Sequence, residues 1–293
     1  MIRFLHSKYR KTRTWLLIKQ PVLLTPLFFY LVESADKLLR ARNRKTIPLT
    51  PTPAWKEQYQ SIIARSPKNL SLSAASPAAY ESDDYKNPRG AVNDCSTNPR
   101  FNQQVSRFFA GKSPLYILDL GCAGGGMVRS FLNQGHFAIG LEGSDAPKKH
   151  KLWEWAFIPE HLFTCDITQP WAITCGDNAP VLFDLVTAWE VMEHIPESKL
   201  EGLLNNIFKS LTVGGVFICS IDFSPDGNPL RNSVYHQTVK PYGWWANLFV
   251  TKGFQIVDHH PFAVEDFVRG NGLSIKDWHP ADGTGAHFIL RKL

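Results

Sequence analysis

Short apolar runs alternate with helix-type patterns along the last two-thirds of this 293-residue chain, and this alternation restricts the fold more than any other feature. Seven runs have the length and composition of strands: 115–119, 137–142, 162–166, 183–188, 216–221, 254–258 and 287–291. Strands that alternate with helices are typical of a parallel sheet covered on both faces. We therefore predict a doubly wound α/β domain with a sheet of about seven strands.

Three helices are predicted between these strands. The first follows the turn after residue 120 and runs to about residue 134, and another covers 242–251. The best defined begins at Ser198, because Glu201 three residues later completes a capping box. Its apolar residues recur at helical spacing: Leu200, Leu203, Leu204, Ile207, Phe208 and Leu211.

The N-terminal part of the chain has a different composition. Residues 1–70 hold 14 Lys and Arg against 3 Asp and Glu, whereas residues 71–293 hold 18 against 23. The predicted α/β domain is therefore mildly acidic, which argues against a nucleic-acid groove on it. Within 1–45, basic flanks enclose an apolar run that contains two prolines. Prolines break the hydrogen-bond ladder that a membrane-spanning helix needs.

Two interpretations of segment 1–45 remain open. It is either an interfacial anchor with basic flanks on anionic lipid head groups, or a pair of short helices packed on the domain. Residues 46–80 are rich in Pro and Ser, which predicts a linker or an extended strap. The domain then occupies 81–293, with its core at 112–293. Residues 80–110 are polar, with Asp83, Asp84 and Tyr85 among them, and we expect them to be partly helical and to cover the ligand site. Five cysteines without a CxxC pair suit a reducing compartment, so we expect a cytoplasmic protein, with peripheral membrane contact through 1–45 left open.

A turn of small residues after the first predicted strand is the candidate ligand site. From residue 118 it reads Leu-Asp-Leu-Gly-Cys-Ala-Gly-Gly-Gly, and small residues let the backbone approach a ligand closely. Carboxylates end this strand and the next two, at Asp119, Glu142 and Asp166. In parallel sheets such ends share one edge, where ligands bind. Asp119 can pair with a cationic amino group and Glu142 can accept from ribose hydroxyls. Asp166 can accept from an adenine amino group, with Ile167 packed on the ring.

These segments, together with Phe-Asp-Leu-Val at 183 and Glu-Val-Met-Glu-His-Ile-Pro at 190, resemble the class I S-adenosylmethionine-dependent methyltransferases over residues 112–292. The resemblance implies a Rossmann-like sheet that ends in an antiparallel hairpin, and S-adenosylmethionine as cofactor. By similarity, the cofactor-binding residues are Asp119, Gly121, Ala123, Gly125, Glu142, Asp166, Ile167 and Trp189.

One residue departs from the family pattern. Ala123 stands where the family usually has its middle glycine, and alanine should be tolerated there if its φ is negative, although it narrows the gap to the ligand. The alternative cofactor is NAD, but the GxGxxG pattern that it requires lacks its second glycine for the same reason.

The candidate reaction site follows the fourth predicted strand. Glu190, Glu193 and His194 share one face if this segment is a helical turn, and His236 lies in the loop after the fifth strand. Three roles remain open. A histidine is the general base, all four residues bind a divalent metal, or Glu193 and His194 only brace the turn. The pattern is similar to that of metal-dependent small-RNA 2′-O-methyltransferases and some ubiquinone-pathway O-methyltransferases. It is also widespread in methyltransferases with no known metal, so metal is the less favoured alternative.

We therefore expect an S-adenosylmethionine-dependent methyltransferase that acts at oxygen on a small molecule such as a sugar, a quinone, a lipid-linked compound or a natural product. An RNA 2′-O-methyltransferase is the first alternative, although the acidic domain counts against it. A non-catalytic protein that binds S-adenosylmethionine is the second.

Overall fold

The computed structural model describes residues 69–176, 178–228, 233–267 and 284–293, together with residues 57, 60–62 and 64. The predicted segment 1–45 lies outside these residues. Within the described part of the chain, no helix is both long enough and apolar enough to cross a membrane.

Twelve strands and seven α-helices are present among the described residues. The strands are β1 (Ser71–Ala74), β2 (Tyr116–Leu120), β3 (Phe137–Glu142), β4 (Leu162–Thr164), β5 (Trp171–Cys175), β6 (Ala179–Pro180), β7 (Phe183–Trp189), β8 (Leu211–Asp222), β9 (Gly227–Asn228), β10 (Ser233–Val234), β11 (Phe254–Ile256) and β12 (Gly285–Lys292). The helices are α1 (Asp83–Lys86), α2 (Arg89–Asn93), α3 (Pro99–Phe108), α4 (Gly126–Asn133), α5 (Ala146–Lys149), α6 (Glu197–Ser210) and α7 (Tyr242–Thr251).

Seven strands form the main sheet, in the order β4-β3-β2-β7-β8-β12-β11. The pairs from β4 to β8 are parallel, whereas β12 runs antiparallel to both of its neighbours, β8 and β11. The prediction of a doubly wound sheet of about seven strands with a terminal antiparallel hairpin is confirmed. Because the chain crosses over after β4 and continues at β7, the carboxyl ends of β2 and β7 flank the reversal in strand order, where such sheets bind ligands.

Side chains of alternate strand residues build two cores, one on each face of the sheet. Leu118 points to the face covered by α6 and α7, whereas its neighbour Ile117 points to the face covered by α3 and α4. Both residues are fully buried. Strands β2, β3, β7 and β8 of the main sheet are largely buried on both sides because helices cover both faces.

A second, three-stranded sheet was not predicted. Strand β1 pairs antiparallel with β5, with Ser71 opposite Thr174 and Ala74 opposite Trp171, and β6 pairs with the other edge of β5. Residues 71–74 lie inside the predicted linker 46–80, so this part of it is an ordered strand of the domain. Its alternating exposed and half-buried residues are too few to stand out in the sequence.

The predicted capping box at Ser198 is wrong. Helix α6 begins one residue earlier, at Glu197, after an extended Pro196, and no side chain caps it. Ser198 therefore lies inside the first turn. Glu201 pairs instead with Lys252, at 2.7 Å. The third predicted strand is also shorter than expected. Strand β4 ends at Thr164, and Asp166 follows it in the loop.

The packing of β12 provides a test of the fold. Phe288 is 1% exposed and stacks on Tyr242 of α7, with ring centroids 4.8 Å apart. We expect Phe288→Ala to lower the free energy of unfolding by about 3–5 kcal/mol, because it removes a large side chain from a closed core. Urea titration measures this. Val213→Ala is the control, because Val213 is 87% exposed, and equal losses in both variants would contradict the placement of β12.

Candidate active site

The carboxyl ends of β2, β3 and β4 are neighbours, as the sequence predicts. Asp119 is paired in register with Gly140, and Glu142 with Thr164. The chain then continues past β4, and the Cys165 amide donates to the Glu142 carbonyl at 3.0 Å. The structure thus brings Asp119, Glu142 and Asp166 to one edge of the sheet.

The turn of small residues packs directly on the end of β3. The amides of Gly121 and Cys122 both donate to the Leu141 carbonyl, at 2.8 and 3.1 Å. The φ angles of Gly121 and Gly125 are +66° and +86°, values that glycine adopts without the steric cost of a Cβ. A Cβ at residue 121 would lie 2.4 Å from Cγ2 of Val191, so the turn also needs glycine there for space.

The condition of a negative φ at Ala123 is not met, because its φ is +46°. Left-handed backbone costs a non-glycine residue about 1–2 kcal/mol. Hydrogen bonds on both sides of the residue hold this conformation. The Ala123 amide donates to Glu142 Oε2 at 2.9 Å, and Trp155 Nε1 donates to the Ala123 carbonyl at 2.8 Å.

Asp119 is a buried carboxylate with few donors. It is 3% exposed and accepts a hydrogen bond from Thr187 Oγ1 at 2.7 Å. Burial raises the pKa of Asp119 to about 7, the Thr187 hydrogen bond opposes this shift, and the charges of Asp94 and Glu142 add to it. A cation bound beside Asp119 would restore its ionised form, so the site suits a positively charged ligand group.

Glu142 and Asp166 each accept a hydrogen bond from a backbone amide of the loop that follows them. Glu142 is 8% exposed, and its Oε1 accepts from the Ser144 amide at 2.9 Å while Oε2 holds Ala123. Asp166 Oδ1 accepts from the amide and hydroxyl of Thr168, at 2.9 and 2.6 Å. Carboxylate oxygens have further lone pairs, so these bonds leave acceptor capacity for a ligand. Ile167 beside Asp166 is buried.

Two segments cover these strand ends: residues 76–79, which the sequence does not assign to the site, and a part of residues 80–110, which it predicts to cover the site. The Asp166 amide donates to the Ser76 carbonyl at 3.1 Å, and the Ala79 amide to the Gly143 carbonyl at 2.9 Å, so residues 76–79 cross the ends of β3 and β4. The Asp94 carbonyl accepts from the Gly124 amide at 2.8 Å. These are backbone contacts, and they leave no residue-type signal in the sequence.

Trp189, predicted to contact the cofactor, ends β7 and packs edge-to-face on Phe101 of α3, with ring centroids 4.8 Å apart. Its Nε1 is buried without a hydrogen-bond partner. The observed contacts of the ring are those of a core residue, and a role toward the cofactor stays a prediction.

The segment after β7 is not the α-helical turn that the sequence spacing favours. Glu190 has a φ of +52°, and its amide donates to the carbonyl and the hydroxyl of Ser220 on β8, each at 3.0 Å. Only Met192–His194 form a 3-10 turn. Glu193 is fully buried, and its Oε1 accepts from the Asp222 amide at 2.9 Å. Burial raises the pKa of Glu193 to about 8, against the effect of His194.

The two candidate histidines lie together, with ring centroids 4.9 Å apart. His194 Nδ1 is 2.8 Å from Oδ2 of Asp84 on α1, a residue of the predicted covering region 80–110 that the sequence does not single out as a site residue. Burial lowers the pKa of His194, but Asp84, Glu193 and Asp226 together raise it to about 9. Burial and the charge of His194 lower the pKa of His236, whose Nδ1 lies 2.5 Å from the Ser224 carbonyl.

Three of the four predicted metal ligands converge. Ligating atoms of Glu193, His194 and His236 all lie within 4.8 Å of one another, and Glu193 Oε2 is buried without a hydrogen-bond partner. Histidine nitrogen and carboxylate oxygen suit a divalent transition metal. The donor set therefore fits such an ion, although Glu190 is not part of this group.

A surface groove of about 670 Å³ lies elsewhere. It is lined by residues that precede β2 and β3, among them Lys112, Ser113, Gln134 and His136. These positions are at the amino ends of the strands, on the opposite edge of the sheet from the carboxylates.

Residues 97–268, more than half of the chain, match the family model described as a methyltransferase domain, and the protein therefore belongs to this methyltransferase family. Among curated proteins, it is 28% identical over 121 residues to a ubiquinone biosynthesis O-methyltransferase of Pseudomonas fluorescens (strain SBW25), covering 40% of this chain and 47% of the relative. The enzyme of the same name from Pasteurella multocida (strain Pm70) is 27% identical over 106 residues, 34% of this chain and 44% of that one. The chain thus spans about half the length of the curated relatives it matches.

Two solved structures give the scale of the structural likeness. The 1,6-didemethyltoxoflavin-N1-methyltransferase of Burkholderia thailandensis has a TM-score of 0.48 and 18% identity, covering 78% of this chain and 99% of that one. The N-methyltransferase NodS of Bradyrhizobium japonicum WM9 has a TM-score of 0.44 and 17% identity, covering 72% of this chain and 98% of that one. Likenesses this distant identify no acceptor.

The raised pKa of Asp119 predicts how stability depends on pH. A buried carboxyl with a folded pKa near 7 and an unfolded pKa of 3.8 destabilises the fold above pH 4, and the loss grows until pH 7. Asp119→Asn removes this ionisation. We expect its free energy of unfolding, relative to wild type, to rise by about 1.4 kcal/mol per pH unit between pH 5 and pH 7.

Urea unfolding at pH 5, 6, 7 and 8 measures this difference. Phe288→Ala is the control, since it removes no titrating group and its difference from wild type should stay constant. A constant difference for Asp119→Asn as well would show that Asp119 titrates normally.

Proposed function

We propose that this protein transfers a methyl group from S-adenosylmethionine to a hydroxyl group of a small molecule. The observation that carries the proposal is the pair of buried carboxylates, Asp119 and Glu142, beside a left-handed turn at the carboxyl ends of β2 and β3. The cofactor has a cationic amino group and sulfonium, a ribose diol and an adenine. A site that binds it needs an anion beside its cationic end and hydrogen-bond acceptors beside the ribose hydroxyls.

Each end of the cofactor has a residue in this proposal. Asp119 holds the amino group, Glu142 accepts from the ribose hydroxyls, and Asp166 accepts from the adenine amino group while Ile167 packs on the ring. Bound S-adenosylmethionine supplies an electrophilic methyl group, so the protein has only to align an acceptor and remove its proton. Gly121, Ala123 and Gly125 give the turn that the methionine part lies against.

At the acceptor end, His236 is suited to accept the proton. Its lowered pKa leaves the imidazole neutral at pH 7, and a proton on Nδ1 donated to the Ser224 carbonyl leaves Nε2 free as the base. His194 lies against His236 and is held by Asp84. Acceptor hydroxyls therefore meet two imidazoles.

The acceptor class is inferred from two independent points. The relatives are named ubiquinone biosynthesis O-methyltransferases, which supports a small hydroxylated ring as acceptor. Residues 71–293 hold an excess of acidic over basic residues, which disfavours an RNA phosphate backbone. The proposal also includes a cytoplasmic location. For a lipid-soluble acceptor it includes contact of residues 1–45 with the membrane surface.

Cofactor binding is the first test. We expect Asp119→Asn and Glu142→Gln each to weaken binding of S-adenosylhomocysteine at least tenfold, since each removes an anion that the ligand needs. Isothermal titration calorimetry measures the affinity. Asp184→Asn is the matched control: Asp184 is 6% exposed and pairs with Lys112 at the opposite end of the sheet, so its affinity should stay at the wild-type value. Unchanged affinity in both site variants would refute the assignment of this turn.

Methyl transfer is measured as S-adenosylhomocysteine released in the presence of a panel of phenols, sugars and RNA. Product with a phenol supports the proposal, and product with RNA alone supports the RNA alternative. A protein that binds the cofactor and yields no product with any class would be the non-catalytic alternative.

A metal-assisted reaction is the second candidate, because Glu193 Oε2 is buried without a partner beside His194 and His236. A divalent ion held there would lower the pKa of a coordinated acceptor hydroxyl. Chelation separates the two mechanisms. We expect dialysis against EDTA to leave binding of S-adenosylhomocysteine unchanged, because none of its proposed ligands is in this group. If His236 acts as base, methyl transfer also survives; loss of transfer that Mg²⁺ or Mn²⁺ restores would establish the metal.

A further inference from the structure

The one-turn helix α1 joins three separate loops around the candidate active site. Three consecutive residues make these contacts. Asp83 Oδ2 accepts from the Val234 amide at 2.7 Å, Asp84 Oδ2 lies 2.8 Å from His194 Nδ1, and the Tyr85 hydroxyl donates to Asp145 at 3.2 Å. These partners follow β8, β7 and β3. Helix α1 therefore spans the edge of the sheet where the cofactor and the acceptor are proposed to meet.

The orientation of α1 is defined by its own first residues. Ser82 precedes the helix, and its hydroxyl oxygen accepts from the Tyr85 amide at 3.0 Å, which is an N-cap contact. Because α1 is only four residues long, this cap sets the direction of its first turn, and the contact with His194 fixes the Asp84 side chain.

The contact with His194 determines which ring nitrogen is available. A carboxylate is an acceptor, so Asp84 requires the proton on Nδ1 of His194. In the neutral ring, Nε2 is then the nitrogen left for the acceptor or for a metal ion. The other charged or titratable groups that act on His194 are Glu193, His236 and Asp226.

We propose that Asp84 is a positioning residue for His194, fixing its Nδ1–H tautomer and the direction of Nε2 from across the site. The proposal rests on the function proposed above. A carboxylate that orients a histidine in this way is a recurrent device both for histidine bases and for metal-binding histidines, so the role does not depend on which chemistry His194 serves. What is particular here is that the orienting residue lies 110 positions away on a separate helix, so the pair exists only when α1 is seated.

The direct test is the tautomer of His194, which needs neither an acceptor nor activity. In ¹⁵N-histidine-labelled full-length protein, two-bond ¹H–¹⁵N spectra between pH 6 and pH 10 report which ring nitrogen carries the proton, and His194→Gln assigns the signals. We expect Nδ1 to stay protonated over this range in wild type. In Asp84→Ala, the neutral ring should instead carry its proton on Nε2.

Asp83→Ala is the matched control. Asp83 is the adjacent residue on the same helix. Its substitution removes a hydrogen bond of similar length, from the Val234 amide, without touching His194. Its His194 signals should match those of wild type. The proposal is wrong if the neutral His194 ring of Asp84→Ala still carries its proton on Nδ1, or if Asp83→Ala changes the tautomer as much as Asp84→Ala does.

Kinetics with any acceptor identified by the phenol panel provide the second readout. We expect Asp84→Ala to lower kcat about 10- to 100-fold with KM changed less than threefold, since positioning partners of histidines act at this scale. Asp84→Asn should recover most of kcat, because its amide oxygen still accepts from Nδ1–H. Equal losses in the Asn and Ala variants would overturn the positioning role. A wild-type protein that shows the Nδ1–H tautomer and no methyl transfer would refute the proposed function but not this contact.

Discussion

The parallel pairing of β2 with β3 is the constraint on which the site depends. Pairing in this register places the Leu141 carbonyl under the turn, where it accepts from the amides of Gly121 and Cys122. Glu142, the next residue, then reaches the Ala123 amide. The carboxylate proposed to bind a ribose is thus the same group that stabilises the left-handed turn. Loss of Glu142 would therefore disturb both the ligand contact and the backbone that approaches the ligand.

Burial of acids at this edge has a cost that their protein partners offset only in part. Asp119 and Glu193 are 3% and 0% exposed, and burial raises the pKa of each toward or above neutrality. Natural folds keep such groups where a partner of opposite charge arrives during function. The two acids lie on β2 and just after β7, the neighbouring strands on either side of the reversal in strand order. Two costly groups of the domain thus lie where a cationic cofactor and an acceptor would meet.

The amino-acid pattern is informative where a residue type is required, and silent where the backbone alone acts. Strands β2, β3, β4, β7 and β8 of the main sheet and the carboxylates at their ends could be predicted, because apolar runs and acids are visible letter by letter. Strand β1 and the crossing of 76–79 over β3 and β4 could not, because these contacts use backbone amides and carbonyls that every residue has. The left-handed backbone of Ala123 is not visible in the sequence for a related reason: the hydrogen bonds that hold it come from Glu142 and Trp155, distant in the sequence.

The two histidines show how one distant carboxylate sets the chemistry of a site. Asp84 contacts His194 and favours a positive charge there, and that charge in turn lowers the pKa of His236. The pair is therefore polarised, with a cation on one ring and a neutral imidazole on the other. Two adjacent histidines without Asp84 would compete for one proton and share an intermediate state. The division of roles between a held ring and a proton-accepting ring follows from where α1 places its second residue.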